Sequence, residues 1–235
     1  MNDPFFDLLS ANSLLRGLAP DVLHELREAG TMRRYTPGSA IIRQGDPALM
    51  YHFVFCGHGK VTQITPDGHQ VLIRFVRPGG SFGLASVLDG FHYMWSAHAI
   101  GETRTMAWYG EVLAQFMERY TGLSFNALRI SMMRNNELEQ RYQELLTDSV
   151  EQRVAQALLR LSDDVGRNTA EGILIDVPLS RADLADYAGT TLYTVSRLIQ
   201  KWETAGHVRS GRERVVVRDS QSLHTLASFD QASAN

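Results

Sequence analysis

Leu179-Ser180-Arg181-Ala182-Asp183-Leu184-Ala185-Asp186-Tyr187-Ala188-Gly189-Thr190-Thr191-Leu192-Tyr193-Thr194-Val195-Ser196-Arg197-Leu198-Ile199 reads as two short helices around a glycine turn. Ser180 is placed to cap the first helix, with Asp183 three residues on to complete a capping box. Gly189 suits the left-handed residue that ends a helix. Thr190 or Thr191 caps the second helix, which continues through Trp202 to Ala205-Gly206. Leu184, Ala185, Val195, Leu198 and Ile199 would hold the pair together. Thr191, Leu192, Tyr193, Thr194, Ser196 and Arg197 are left near the outward, N-terminal half of the second helix. That half is the part a groove-reading helix presents to base edges. Two helices joined by a three- to four-residue turn with glycine fit a helix-turn-helix.

Working outward, Val208-Arg209 and Arg214–Val217 flank Ser210-Gly211-Arg212, a tight hairpin or wing with a basic tip at Arg212. Between Arg197 and Arg218 stand six cations (Arg197, Lys201, Arg209, Arg212, Arg214, Arg218) against two anions, Glu203 and Glu213. The whole chain carries −3. This local surplus in an acidic protein points to a directed contact with nucleic acid, not to a chain that coats it. Upstream, a polar loop is read from Ser162 to Gly172, after a helix over Val150–Leu161 and before a strand at Ile173–Ile175.

A long helix is predicted from Ser124 to Thr147. Phe125, Leu128, Met132, Asn135, Leu138, Tyr142 and Leu145 recur three or four apart. One polar residue in a long apolar stripe between two domains suits a two-stranded coiled coil, with Asn135 fixing register. The competing reading is a helix packed on its own domain. Before it, a short helix covers Gly110–Arg119 and Thr121-Gly122 interrupts.

From Thr31 to about Trp108 short β-rich runs alternate with turns: Ala40–Ile42, His52–Phe55, Lys60–Ile64, Gln70–Val76 and Ser96–Met106. Gly57-His58-Gly59 is read as one of the separators, and Pro66-Asp67-Gly68 as a hairpin turn. Many short strands at this spacing imply an antiparallel β-roll or jelly roll. Leu14 to Ala29 reads as short helices, with Pro20 just inside a helix start. The fold class is therefore α+β. The expected domains are a β-roll sensor over 1–123, a dimerisation helix over 124–149, a winged helix-turn-helix over 150–228 and a tail over 229–235.

An apolar content of 44 % and a charged content of 21 % are those of an ordinary globular chain. No apolar run reaches the ~20 residues that span a bilayer, and the N-terminus lacks a signal peptide's basic start. A cytoplasmic location without membrane contact is expected. The single cysteine, Cys56, excludes an intrachain disulfide and a cysteine-built metal site in one chain. It reads best as structural, a thiol sensor being the alternative. No nucleophile elbow, phosphate-binding loop or metal-ligand helix motif is present, so no enzyme is expected and no catalytic or metal-binding residue is assigned.

The motifs together resemble the Crp/Fnr family of bacterial transcription regulators. Leu179–Ala185, Thr194–Leu198 and Trp202–Gly206 are similar to its DNA-binding region. Ile42-Arg43-Gln44-Gly45-Asp46 and Gly57–Val61 are similar to its cyclic-nucleotide-binding-type roll. The resemblance implies double-stranded DNA and a second copy of the chain as partners, with RNA polymerase as a further candidate. It implies that Arg197 reads guanine, for which an arginine fork is suited. It places Ser196 near a base and Ser180, Arg181, Thr191 and Thr194 on phosphate, contacts that set register more than sequence. Tyr193, preceded by Leu192, stands where the family usually has a glutamate. A carboxylate accepts from cytosine N4, whereas tyrosine and leucine favour apolar contact such as a thymine methyl.

The family's nucleotide-binding cassette implies effector-pocket positions at Phe82, Gly83, Leu84, Ala85, Ser86, Trp95 and Ser96, with Leu138 of the long helix as a further candidate. Leu84 stands where the ribose-binding glutamate is expected. Trp95, allowing one inserted residue, stands where the phosphate-binding arginine is expected. Without that charge partner no ordinary cAMP or cGMP binding is predicted. Phe91, His92, Tyr93, Met94 and Trp95 form an aromatic cluster that is expected to fill the vacated pocket. No cofactor is predicted. Haem held by His92, Met94 or His98 is the alternative, and a cupin-like metalloenzyme is a remote one.

Overall fold

The computed structural model describes residues 4–228, so the tail expected over 229–235 lies outside the described residues. These residues fall into two compact units. One runs to Gln70 and resumes over Val76–Glu137, and the other comprises Val71–Phe75 and the chain from Leu138.

The first unit opens with α1 (Pro4–Ala11) and α2 (Pro20–Ala29). Pro20 begins α2, where its missing N–H costs no hydrogen bond. Leu14 and Leu15 lie in the turn between these helices, not on a helix as expected, and both are buried. Buried Asn12 fixes that turn. Its amide donates to the Gly79 carbonyl at 2.9 Å, and its Oδ1 accepts from the Leu14 N–H at 3.0 Å.

Strands follow as β1 (Thr31–Tyr35), β2 (Ala40–Ile42), β3 (Met50–Ile64), β4 (Gln70–Val76), β5 (Ser81–Phe82) and β6 (Ser96–Tyr109). They form an antiparallel sheet of order β1-β6-β3-β4, with β2 also on β6 and β5 on β3. The runs His52–Phe55 and Lys60–Ile64 are thus one strand, and Gly57 does not separate them. It sits at a bulge where the β3–β6 register shifts twice between Val54 and His58. Its φ is +77°, and a Cβ there would meet the Glu102 carbonyl oxygen at 2.4 Å. Glycine at that point bends a strand that keeps its pairing on both sides.

Phe5, Leu9, Leu14, Leu15, Val22, Leu23 and Leu26 pack against Tyr51, Phe53, Met106 and Trp108 of the sheet. The Trp108 indole N–H donates to the Leu26 carbonyl at 2.6 Å, which satisfies the polar end of a fully buried ring. Then come α3 (Gly110–Arg119) and α4 (Thr121–Thr147). Only Tyr120 separates them, so α4 begins at Thr121, where an interruption was expected.

The second unit contains α5 (Val150–Val165), strands β7 (Gly166–Thr169) and β8 (Gly172–Ile175), α6 (Arg181–Ala188) and α7 (Leu192–Thr204). It ends with β9 (Val208–Gly211), β10 (Arg214–Val217) and α8 (Ser220–Ser228). An antiparallel sheet of order β7-β8-β10-β9 backs the helices. The expected polar loop from Ser162 is instead the last turn of α5 followed by β7. Buried Val165 extends the apolar face of α5, and Gly166 pairs with Ile175. Polar residues concealed both, because β7 exposes Arg167 and Asn168.

Candidate nucleic-acid interface

The two helices read from the sequence form as capped. Ser180 Oγ accepts from the Asp183 N–H at 2.9 Å, and Asp183 Oδ2 accepts from the Ser180 N–H at 3.3 Å. Gly189 ends α6 in the left-handed region at φ +63°. Thr191, not Thr190, caps α7, its Oγ1 accepting from the Thr194 N–H at 3.2 Å. Leu184, Ala185, Val195, Leu198 and Ile199 are all buried between the helices and the sheet.

That packing leaves one face of the α7 start outward. Thr191, Leu192, Tyr193 and Arg197 are exposed, Tyr193 by 76 %, while Thr194 and Ser196 are half-buried. An exposed tyrosine and leucine side by side on a helix start are poorly accounted for by the core of this unit. The hydroxyls of Ser180 and Thr191 are engaged in their caps, and Arg181 is half-buried.

The wing is β9–β10, turning at Arg212-Glu213, with Glu213 at φ +52°. Ser210 and Gly211, read as the turn, are the last residues of β9. Glu203 at the end of α7 accepts from the Ser210 N–H at 2.9 Å and from its hydroxyl at 2.8 Å, bracing the wing against the helix. These two bonds hold the Glu203 carboxyl below its ordinary range.

The basic surplus is distributed differently from the local count. Lys201 pairs with Glu151 at 2.8 Å and Arg209 with Glu171 at 2.6 Å. Both carboxylates lie far away in sequence, so no local signal could have found them. Arg197, Arg212, Arg214 and Arg218 are exposed and form no salt bridge among the described residues. The α7 start and the wing region therefore present exposed guanidinium groups outside any salt bridge. That is the arrangement for contacting phosphates and guanine edges.

The effector-pocket positions are less gathered. Gly83, at φ +89°, brings its backbone close to the Met50 carbonyl and begins a single 3-10 turn over Leu84–Val87. Phe82 is buried and stacks on His52 at 5.4 Å, and Leu84 packs against the core of the N-terminal helices. Ser96 is buried, its Oγ accepting from the Gln44 N–H at 3.0 Å. Leu138 is an exposed residue of α4.

The aromatic cluster does not fill a vacated pocket. Only Tyr93 is buried, its hydroxyl donating to the Met50 carbonyl at 2.7 Å and accepting from the Met50 N–H at 2.9 Å. Phe91, His92, Met94 and Trp95 are exposed. Backbone bonds of Phe91 and Tyr93 to Gly45, Asp46 and Ala48 hold this segment with Tyr93 inward and its neighbours outward. An open cleft of about 930 Å³ lies beside them, lined by Pro47–Leu49, residues 86–92, Tyr109–Glu111 and Ala114. Of the predicted pocket residues only Ser86 lines it. Among the described residues no three His, Cys, Asp or Glu side chains gather to hold a metal. None of their helices is long and apolar enough to cross a membrane.

A β-roll followed by a long helix and a capped helix-turn-helix with a basic wing defines a DNA-binding regulator with a separate sensor-type domain. The chain matches the cyclic nucleotide-binding domain over residues 32–120 and the Crp-like helix-turn-helix domain over residues 152–226. It belongs to the Crp/Fnr family of transcription regulators, and it is a regulator rather than an enzyme. It is 27 % identical over 219 residues to the cyclic AMP receptor protein of Thermus thermophilus, covering 93 % of this chain and 98 % of that one. It is 26 % identical over 208 residues to the nitrogen fixation regulation protein FixK of Bradyrhizobium diazoefficiens, covering 87 % and 85 %. The structure of FixK2 from Bradyrhizobium japonicum superposes with a TM-score of 0.73 at 27 % identity, covering 87 % of this chain and 99 % of that one.

Proposed function

We propose that the protein acts as a homodimer on a two-fold symmetric operator, reading each half-site with Tyr193, Ser196 and Arg197 of α7. Leu192 packs beside them, while Thr191, Thr194, Ser180 and Arg181 flank the phosphates and Arg212 of the wing reaches the backbone. The observation that carries this is the outward α7 start, where exposed Tyr193 and Leu192 stand one turn from an Arg197 that forms no salt bridge. The dimer is supported by α4, whose Phe125, Leu128, Met132, Leu138 and Tyr142 are all exposed, Phe125 by 73 % and Tyr142 by 66 %. A stripe of that length is too apolar to face water, and a second copy of α4 is its natural cover. Two-fold pairing puts the half-sites one helical turn, about 34 Å, apart.

Specificity follows from Tyr193. A phenol ring offers apolar contact to a thymine methyl and no carboxylate for cytosine N4. Selection of bound duplexes from a random library tests this with the wild type and Tyr193→Glu. The wild type is expected to favour an A·T pair under residue 193, and the variant to shift toward G·C. The same base recovered by both proteins would overturn the reading.

The sensor is proposed not to take cAMP, although relatives are described as cyclic AMP receptors. Leu84 packs into the helical core and Trp95 points outward, 38 % exposed, so neither offers the charge a cyclic phosphate needs. Titration calorimetry with cAMP is expected to show no binding below millimolar concentrations. A micromolar dissociation constant would contradict this.

A further inference from the structure

The end of α6 leaves backbone carbonyls that must find donors. Those of Ala185 and Asp186 are taken by the turn itself, through the N–H groups of Thr190 at 2.9 Å and Gly189 at 3.2 Å. The next three, on Tyr187, Ala188 and Gly189, have no helical partner to come, and Tyr187 and Ala188 are buried. Side chains from elsewhere supply them. Arg141 of α4 donates its Nη2 to the Tyr187 carbonyl at 3.1 Å. Arg153 of α5 donates Nε to Ala188 and Nη2 to Gly189, both at 3.1 Å. Its remaining nitrogen, Nη1, donates at 2.8 Å to the carbonyl of Asp148, in the connection from α4 to α5.

The guanidinium of Arg141 also lies 4.1 Å from the centre of the Tyr187 ring. Beneath it, Glu144 of α4 grips Arg160 of α5 with both carboxylate oxygens at 2.8 Å. Leu145, one turn along α4 from Arg141, reaches the turn itself: a Cβ on Gly189 would come within 2.6 Å of its Cδ2. Positive charge at a helix C-terminus is favourable in its own right. A planar fork that donates and stacks at once fixes direction as well as distance.

We infer that Arg141, seconded by Arg153, is a positioning residue for DNA binding: it fastens the turn between α6 and α7 to the end of α4 and so sets the angle at which α7 presents Tyr193 and Arg197. The inference rests on reading α7 as the groove-facing helix. Neither arginine is asked to touch DNA. α4 carries the apolar stripe proposed to pair two copies, so the clamp ties the reading helix to the element that sets the spacing of half-sites. A displacement of the last turns of α4 reaches the turn directly through the Arg141 bond to the Tyr187 carbonyl, and indirectly through Arg153 of α5, which links the Asp148 carbonyl to those of Ala188 and Gly189.

Fluorescence anisotropy of the full chain on a selected duplex, at several salt concentrations, tests this. Arg141→Ala and Arg153→Ala are each expected to weaken binding about tenfold, after correction for the folded fraction from thermal melting, with the slope of log K against log salt unchanged. Arg141→Lys keeps a donor but loses the stacked fork, so an intermediate affinity is expected. It also serves if the alanine variants do not fold. A residue that contacts phosphate would instead reduce the slope by about one unit. That result, or affinity unchanged in all folded variants, would overturn the inference. Wild-type protein showing neither sequence preference nor salt dependence would overturn the reading of α7 itself, and this inference with it.

Discussion

Glu151 on α5 accepts from two adjacent residues of α7: the Lys201 ammonium, at 2.8 and 3.1 Å to its two oxygens, and the Trp202 indole N–H at 3.1 Å. Trp202 is almost wholly buried, so its N–H depends on that acceptor. Burial alone would raise the Glu151 carboxyl, but these bonds hold it below its ordinary range. Glu151→Ala strands the indole and is expected to cost about 1–2 kcal/mol in urea unfolding. Glu151→Gln keeps an acceptor and is expected to cost less than half as much. Equal losses would mean that the ion pair, not the indole, carries the contact.

The second remote pair, Arg209 with Glu171, makes a contrasting prediction because both partners are exposed. Such a pair adds little to stability. Glu171→Gln frees one guanidinium of the wing for phosphate. It is expected to raise affinity for DNA of any sequence about threefold and to steepen the salt slope by up to ~0.9. Anisotropy with a random-sequence duplex reads both. An unchanged slope would place Arg209 outside the interface.

Buried His52 gives the sensor-type domain a pH dependence. Desolvation, aided by the nearby Arg33 charge, lowers its pKa from 6.5 to about 4. The folded protein therefore keeps the ring neutral where the unfolded chain protonates it. Stability from this group is fully present above about pH 6.5 and is lost as pH falls toward 4. Between pH 7 and pH 5 it accounts for a loss of about 2 kcal/mol. His52→Gln is expected to shrink the difference between urea midpoints at those two pH values. The same difference in both proteins would show that other groups carry it.

Gly57 and Gly68 both have positive φ, +77° and +84°, but differ in surroundings. A Cβ at Gly68 meets nothing within 4 Å, whereas at Gly57 it meets backbone of β6. Gly68→Ala is expected to cost about 1 kcal/mol, the left-handed penalty alone. Gly57→Ala is expected to cost at least twice that, because the bulge must move. Thermal melting of the two variants compares them directly.

Legibility followed how locally each feature is determined. The cap at Ser180, the turn at Gly189 and the strand over Gln70–Val76 depend on neighbours in sequence and are readable there, while the sequence narrows the second cap only to Thr190 or Thr191. Ser210-Gly211 reads as the wing turn in the sequence, but the chain reverses at Arg212-Glu213, with no glycine at the left-handed position. Gly57 reads as a separator because a glycine in a bulge and one in a loop look alike until the partner strand is known. β7 was hidden by its polar residues. The pairing of Lys201 with Glu151 and of Arg209 with Glu171, like the hold of Arg141 on Tyr187, arises only once α4, α5 and the second sheet have packed. The aromatic cluster is likewise fixed by contacts remote in sequence, backbone bonds of Phe91 and Tyr93 to residues 45–48 and the Tyr93 hydroxyl on the Met50 backbone.

The central claim is that α7 reads sequence in the groove through its outward N-terminal half. Anisotropy of Arg197→Ala on the selected operator and on a random duplex tests it most directly. The account predicts at least a tenfold loss on the operator, the ~1–3 kcal/mol of a bidentate guanine contact, against no more than about twofold on random DNA. Equal losses on both duplexes, or no loss on either, would contradict it.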